Sequence, residues 1–114
     1  MTLIFKIAGA EEWRMAQAAG VFVGAKVDRA DGFIHFSTAA QAAETAARWF
    51  AGRRDLVLAA VDAEALGAAL RWEPSRGGAL FPHLYAPLAM SAVRWTRALP
   101  LGLDGRHLFG TLET

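Results

Sequence analysis

The sequence contains no cysteine, and this absence excludes several kinds of chemistry. Disulfide bonds, thiolate metal sites and cysteine nucleophiles cannot occur in this chain. No apolar run is long enough to cross a bilayer as a helix. Lys6 and the acidic pair Glu11 and Glu12 lie where a secretory signal peptide needs an apolar core. We therefore expect a soluble cytoplasmic protein without a membrane partner.

Net charge is also small, at +1 for 12 Lys and Arg against 11 Asp and Glu. So small a charge creates no bulk field for nucleic acid, and we expect no nucleic-acid partner. Walker, dinucleotide-binding and nucleophile-elbow motifs are missing from the sequence. The three histidines, His35, His83 and His107, are widely separated, so their spacing predicts no metal site.

The residues that are present describe one folded domain over residues 1–114. Hydrophobic residues make up 54% of the chain and charged residues 20%, which is typical of a globular protein. A chain of 114 residues has room for one hydrophobic core. The four tryptophans, Trp13, Trp49, Trp72 and Trp95, are expected in that core or at its rim.

Hydrophobic periodicity predicts an α+β fold with two early helices and a strand-rich second half. Helices are expected over residues 11–19 and 38–51, and a short one over 62–70, while residues 21–30 are interpreted as a connection and 74–78 as a loop. Strands are expected over residues 2–8, 33–37, 56–61, 70–73, 81–85 and 93–99, with a last short one at 106–109. Residues 56–61 are nearly all apolar, which predicts a central strand buried on both faces.

Alternation in residues 33–37 gives this strand one polar face and one apolar face. Phe33, His35 and Ser37 share the first face, and Ile34 and Phe36 share the second. Such a strand can pack a core and line a cleft at once. His35 can act as a general acid or base, or hold a ribose or phosphate oxygen. It can equally be a half-buried strand histidine bonded to a backbone carbonyl.

Three further polar residues, Lys6, Ser37 and Thr38, also have two interpretations each. Ser37 and Thr38 can cap the following helix, where Thr38 and Gln41 fit a capping box. They can also contact a ligand, because a helix amino terminus attracts anions. Lys6 either protects an edge strand from aggregation or points into the same cleft as His35.

A second polar segment, residues 72–85, is dense in functional groups. Arg76 can clamp a phosphate or carboxylate, Glu73 can serve as base or acceptor, and Tyr85 can stack or donate. His83 lies in a strand segment and is predicted to share the cleft of His35. The alternative is an ordered surface loop in which Arg76 and Glu73 pair. Few acidic residues besides Glu73 are expected in the cleft. Its expected side chains therefore suit an anionic ligand such as a pyrophosphate.

Several segments resemble the bacterial family called domain of unknown function 952. They are residues 5–8 with Trp13, residues 31–38 (DGFIHFST), residues 56–62, residues 71–73 and residues 81–85 (FPHLY). The likeness covers nearly the whole chain, and the DGFIHFST and PHLY segments are specific to that family. The family is in turn similar in fold to the ADP-ribosyltransferases, enzymes that cleave NAD and transfer ADP-ribose.

The resemblance implies a bent, split, mixed β-sheet with a cleft between its halves. Lys6 stands where those enzymes carry a His or Arg that holds the adenosine ribose. The segment from Phe36 to Thr38 is the nearest match to their serine motif. For their late Glu, only His83 or Tyr85 is available here. Loss of that Glu removes the group that orients the nucleophile or stabilises positive charge on the sugar.

Two functional hypotheses follow from these residues and from the resemblance. The first is an enzyme that uses NAD or ADP-ribose, with NAD as its cofactor or substrate. Its catalytic residues would be His35, His83 and Tyr85, and its ligand-binding residues Lys6, Ser37, Thr38, Glu73 and Arg76. The second is a non-catalytic module that binds a small anionic ligand or a protein partner in the same cleft.

Overall fold

The computed structural model describes residues 1–75 and 77–113, so Arg76 lies outside the described residues. The strands are β1 (Leu3–Gly9), β2 (Val21–Phe22), β3 (Ile34–His35), β4 (Leu56–Asp62), β5 (Leu70–Ser75), β6 (Ala79–Leu84), β7 (Leu88–Ala89) and β8 (Val93–Leu99). The α-helices are α1 (Ala10–Ala19), α2 (Lys26–Asp31) and α3 (Ala42–Trp49), and 3₁₀ helices span Ala63–Ala69 and Met90–Ala92. The α+β class is confirmed. Among these described helices, none is long and apolar enough to cross a membrane.

Strand β4 is the centre of the first sheet and lies antiparallel to both β1 and β8. Ala59 and Val61 face one core cluster, whereas Leu58 and Ala60 face another. All four side chains are fully buried. The apolar run therefore forms the central strand that the sequence predicts, because both of its faces are covered.

A second sheet places β6 between β3 and β5, and β2 pairs separately with β7. The first two sheets meet at a backbone bridge, where Phe5 N donates to Ser37 O at 2.8 Å and Ser37 N donates to Phe5 O at 2.9 Å. The two three-stranded sheets are thus linked at this bridge. Every strand pair among the described residues is antiparallel, so the mixed sheet is not found. For example, β5 and β6 follow one another in the chain and pair from Leu70 with Leu84 to Ser75 with Ala79.

The segment at residues 21–30 differs most from its expected character. It contains β2 and most of α2, so three α-helices precede β4 rather than two. Helix α2 has only six residues, too few to show an amphipathic stripe. The Asp28 carboxylate accepts from Ala25 N at 2.8 Å at its start, and Gly32 ends it with φ 87°.

The helix expected over residues 38–51 is shorter in the structure. Thr38 N donates to Gln41 Oε1 at 3.0 Å, and Gln41 N donates to Thr38 Oγ1 at 3.2 Å. These are the two bonds of the predicted capping box, but they close a separate turn before α3 begins. The strand expected at residues 106–109 is reduced to one bridge, between Leu101 and His107.

Candidate functional site

A cleft of about 790 Å³ lies where the two larger sheets meet. Its polar lining includes Lys6 on β1, Asp28 and Asp31 on α2, His35 on β3 and His83 on β6. Ser37 also lines it and is buried, and its Oγ lies 2.7 Å from Thr45 Oγ1. The meeting of the two sheets therefore brings together residues that are far apart in the sequence.

The two cleft histidines are direct partners across the β3–β6 ladder. Residues paired in this way point to the same face of the sheet. The ring centroids of His35 and His83 lie 5.6 Å apart, and the Phe33 ring stacks on His83 at 4.1 Å. The predicted sharing of one cleft by these histidines is confirmed, and their catalytic roles stay a prediction.

His35 is held between two carboxylates. Its Nδ1 lies 2.6 Å from Asp28 Oδ1, and its Nε2 lies 2.9 Å from Asp31 Oδ2. A carboxylate accepts hydrogen bonds, so the Asp28 and Asp31 oxygens are placed to face N–H groups of the ring. About a third of the His35 side chain, 35%, remains exposed. The His35 ring therefore still reaches the cleft between its two carboxylate partners.

Lys6 lies on the edge strand β1, is buried and lines the cleft, as both of its interpretations had it in part, and its role in ligand binding stays a prediction. Its Nζ lies 2.9 Å from Asp28 Oδ2 and 3.1 Å from Asp28 Oδ1, and it donates to His35 O at 3.0 Å. Burial lowers the pKa of Lys6, and the charge of Asp28 opposes that shift. Because its donors are used within the protein, Lys6 shapes the cleft through Asp28 and β3.

Asp28 is the central acceptor of the site, and the sequence interpretation missed it. Besides Lys6 and the His35 ring, it accepts from the backbone N–H groups of Ala25 and His35. Burial alone raises the pKa of Asp28, but the bond from His35 and the charge of Lys6 hold that pKa well below its usual value. Gly24 passes so close that a Cβ there would lie 2.9 Å from the Asp28 Cβ.

His83 is oriented by a second carboxylate. Its Nδ1 lies 2.8 Å from Glu73 Oε1, and Tyr85 Oη donates to the same oxygen at 2.7 Å. The bonds from Tyr85 and His83 lower the pKa of Glu73, and the bond to Glu73 raises the pKa of Tyr85. Since Glu73 holds Nδ1, a ligand in the cleft can engage His83 only through Nε2.

Other predicted site residues lie away from the cleft lining. Tyr85 is 40% exposed and lines a separate pocket of about 310 Å³. Thr38 takes part in the capping box, and Glu73 reaches the cleft only through His83. The alternative pairing of Glu73 with Arg76 falls outside the described residues, as does the proposed phosphate clamp.

The expectation of few acids in the cleft is wrong. The acidic residues that line it are Glu12, Asp28 and Asp31. The basic residues that line it are Lys6, Lys26 and Arg53. The reason is that α2, which the sequence pattern did not reveal, contributes both aspartates. Two carboxylates three residues apart, just before the histidine strand, were the available signal.

Trp49 is a further cleft residue that the sequence did not distinguish. It lies at the end of α3, lines the cleft and is 68% exposed, rather than packed in the core. It follows the buried Ala46 by three residues, which is typical of a core position. No sequence pattern therefore signals its exposure.

The family model described as protein of unknown function DUF952 matches residues 7–96. The chain belongs to this family. A crystal structure of protein CC0527 from Caulobacter crescentus is 56% identical, covers 94% of each chain and has a TM-score of 0.91. The solution NMR structure of CC0527 is 57% identical, covers 93% of this chain and 91% of that one, and has a TM-score of 0.83. No curated protein matches the chain. The likeness to ADP-ribosyltransferases stays a prediction.

This DUF952 member is expected to lose stability in acid. The native pKa of Asp28 lies below its unfolded value, and the same holds for Glu73. Their stabilising effect is therefore complete above the unfolded pKa values of about 4 and declines as pH falls towards the native values. Urea unfolding between pH 7 and pH 2.5 should show this decline, and Asp28→Asn should flatten it. A wild-type stability that stays constant below pH 4 would contradict the assignment.

Proposed function

We propose that this protein is a cytoplasmic enzyme that binds NAD, or a product carrying ADP-ribose, in the cleft between the two sheets. The observation that carries the proposal is a pair of histidines that face one cleft, each with its ring held by a carboxylate. The centroids of the two rings lie 5.6 Å apart. Their hydrogen-bond patterns differ, so each histidine has a different chemical capability. Resemblance to the ADP-ribosyltransferases supplies the ligand class.

The size and lining of the cleft support a nucleotide ligand. Its volume of about 790 Å³ lies within the range of about 300–1,000 Å³ that is common for small-molecule sites. Trp49, which is largely exposed, and the partly exposed Phe50 line it and offer ring faces for stacking a base. Lys26 and Arg53 are exposed and line the same cleft, where they can neutralise phosphate charge.

His83 has the arrangement of a general base. When Nδ1 donates to Glu73, a neutral ring carries its lone pair on Nε2. Nε2 would take the proton of an acceptor hydroxyl or of water, and the oxygen would bond to the ribose carbon that carries nicotinamide. The bond from that carbon to the nicotinamide nitrogen breaks, and its electron pair leaves with the ring, which becomes neutral. His83 thus accepts the one proton that this reaction releases.

His35 is suited to hold the ligand rather than to remove a proton. Both of its ring nitrogens already face carboxylate oxygens, so neither is free to take a proton from a substrate. A hydrogen bond from this ring to a pyrophosphate oxygen would fix the ligand beside His83. Asp28 and Lys6 set the position of the ring.

Calorimetric titration with NAD and with ADP-ribose tests this proposal. Wild type should bind at least one of them, and His35→Ala should weaken binding by about 10- to 150-fold, since a bond to a charged group contributes about 1.5–3 kcal/mol. Arg14→Ala removes an exposed cation from α1 outside the cleft and should leave affinity unchanged. If wild type binds neither ligand at millimolar concentration, the enzyme proposal fails and a partner-binding module is favoured.

A further inference from the structure

We infer that Asp31 occupies an oxyanion site on His35, and that a phosphate oxygen of the ligand replaces its carboxylate during binding. The nucleotide identity of that ligand rests on the proposed function. The oxyanion site itself rests on the contacts of His35. Asp31 then acts as an internal competitor that sets the affinity and the anion selectivity of the cleft.

The two carboxylates around His35 are held very differently. The Asp28 side chain is 1% exposed and accepts from Lys6, from the His35 ring and from two backbone N–H groups. The Asp31 side chain is 48% exposed, and its contact with His35 Nε2 is the one polar contact recorded for it among the described residues. Asp28 is therefore a fixed partner of His35, whereas Asp31 can leave at the cost of one contact.

The position of Asp31 in the chain supports its release. It is the last residue of α2, and Gly32 follows in the left-handed conformation with φ 87°. A carboxylate at the carboxyl end of a helix faces unpaired backbone carbonyl groups, which disfavour negative charge. Helix geometry thus gives the Asp31 carboxylate no stabilisation that would compete with a ligand.

A phosphate oxygen can take over the contact because it can accept a hydrogen bond from Nε2. A pyrophosphate also carries more negative charge than one carboxylate, and Lys26 and Arg53 line the same cleft to receive it. A neutral nucleoside offers no equivalent oxyanion. The site should therefore favour phosphate-bearing ligands over neutral ones.

The test compares three probes, ADP-ribose, inorganic pyrophosphate and adenosine, by calorimetric titration. Asp31→Asn removes the competing charge and should bind both anions about tenfold more tightly than wild type, because like charges close together at a protein surface repel each other. Adenosine affinity should stay unchanged. Glu44→Gln removes an exposed carboxylate from α3, makes the same change in net charge and should leave all three affinities unchanged. His35→Gln in the Asp31→Asn background should abolish the gain.

The outcomes separate this inference from the proposed function. Equal or weaker pyrophosphate binding by Asp31→Asn overturns the inference, even where ADP-ribose binds to wild type. Tighter pyrophosphate binding without any ADP-ribose binding supports the oxyanion site and contradicts the proposed ligand class. A failure of every variant to bind either anion overturns both. Asp31→Ser is a second variant for the same comparison if Asp31→Asn does not fold, as judged by thermal unfolding.

Discussion

His83→Ala is expected to lower the rate of nicotinamide release from NAD by about 100- to 10,000-fold, the usual contribution of a general base. The substitution removes the lone pair that takes the acceptor proton, while His35 and the aromatic lining remain to hold the ligand. Affinity for NAD should therefore change little. Chromatographic detection of nicotinamide at saturating NAD gives the rate, and calorimetry gives the affinity.

Glu73→Gln provides the matched comparison, since Glu73 contacts the His83 ring and is not part of the cleft lining. Its expected rate loss is smaller, and it should shift the pH dependence of the rate because the partner of Nδ1 changes. Tyr85→Phe removes only the hydroxyl bond to Glu73 and should reduce the rate least. A His83→Ala variant as active as wild type would contradict the general-base assignment. Wild type that binds NAD without releasing nicotinamide would instead indicate a non-catalytic binding module.

Asp28→Asn should lower the free energy of unfolding by about 3–5 kcal/mol, the usual cost of removing one partner of a buried ion pair. Lys6 would then keep its hydrogen bond to the His35 carbonyl but would be a buried cation without a counter-charge. The His35 ring and the Ala25 N–H would lose a charged acceptor as well. Urea unfolding at pH 7 measures the change.

Lys6→Met separates the lost charge from a general loss of packing. It should cost less than Asp28→Asn, because Asp28 keeps His35 and two backbone donors. In the Asp28→Asn background, Lys6→Met should restore part of the lost stability, since it removes the unpaired buried cation. If Asp28→Asn changes stability by less than about 1 kcal/mol, the buried network does not stabilise the fold in the way the geometry indicates.

Regular strands and long helices were predictable because their side-chain periods are visible in the sequence. The apolar run that forms β4 and the stripe of α1 are examples. Helix α2 was not predictable in this way, because it is short and its buried residue is the charged Asp28. The position of α2 in the fold depends on contacts of Asp28 with Lys6 on β1 and His35 on β3.

The same distinction applies to the site. His35 and His83 could be singled out because each interrupts an apolar strand with a titratable side chain. The carboxylate that holds each ring lies seven or ten residues away and is brought close by tertiary structure. The exposure of Trp49 also depends on where α3 ends relative to the sheet, which no local pattern encodes. Local sequence therefore identified the candidate histidines and Glu73, but not which carboxylate holds each ring.

Two-dimensional amide NMR of the labelled protein during titration with ADP-ribose tests the central claim most directly, since it locates the ligand on the fold. Shifts are expected for residues that line the larger cleft, above all Lys6, Asp31, His35 and Ser37, together with the Trp49 indole N–H. Residues around the smaller pocket, such as Ala86, should stay near their free positions. Shifts confined to that smaller pocket, or no shifts at millimolar ADP-ribose, would contradict the account.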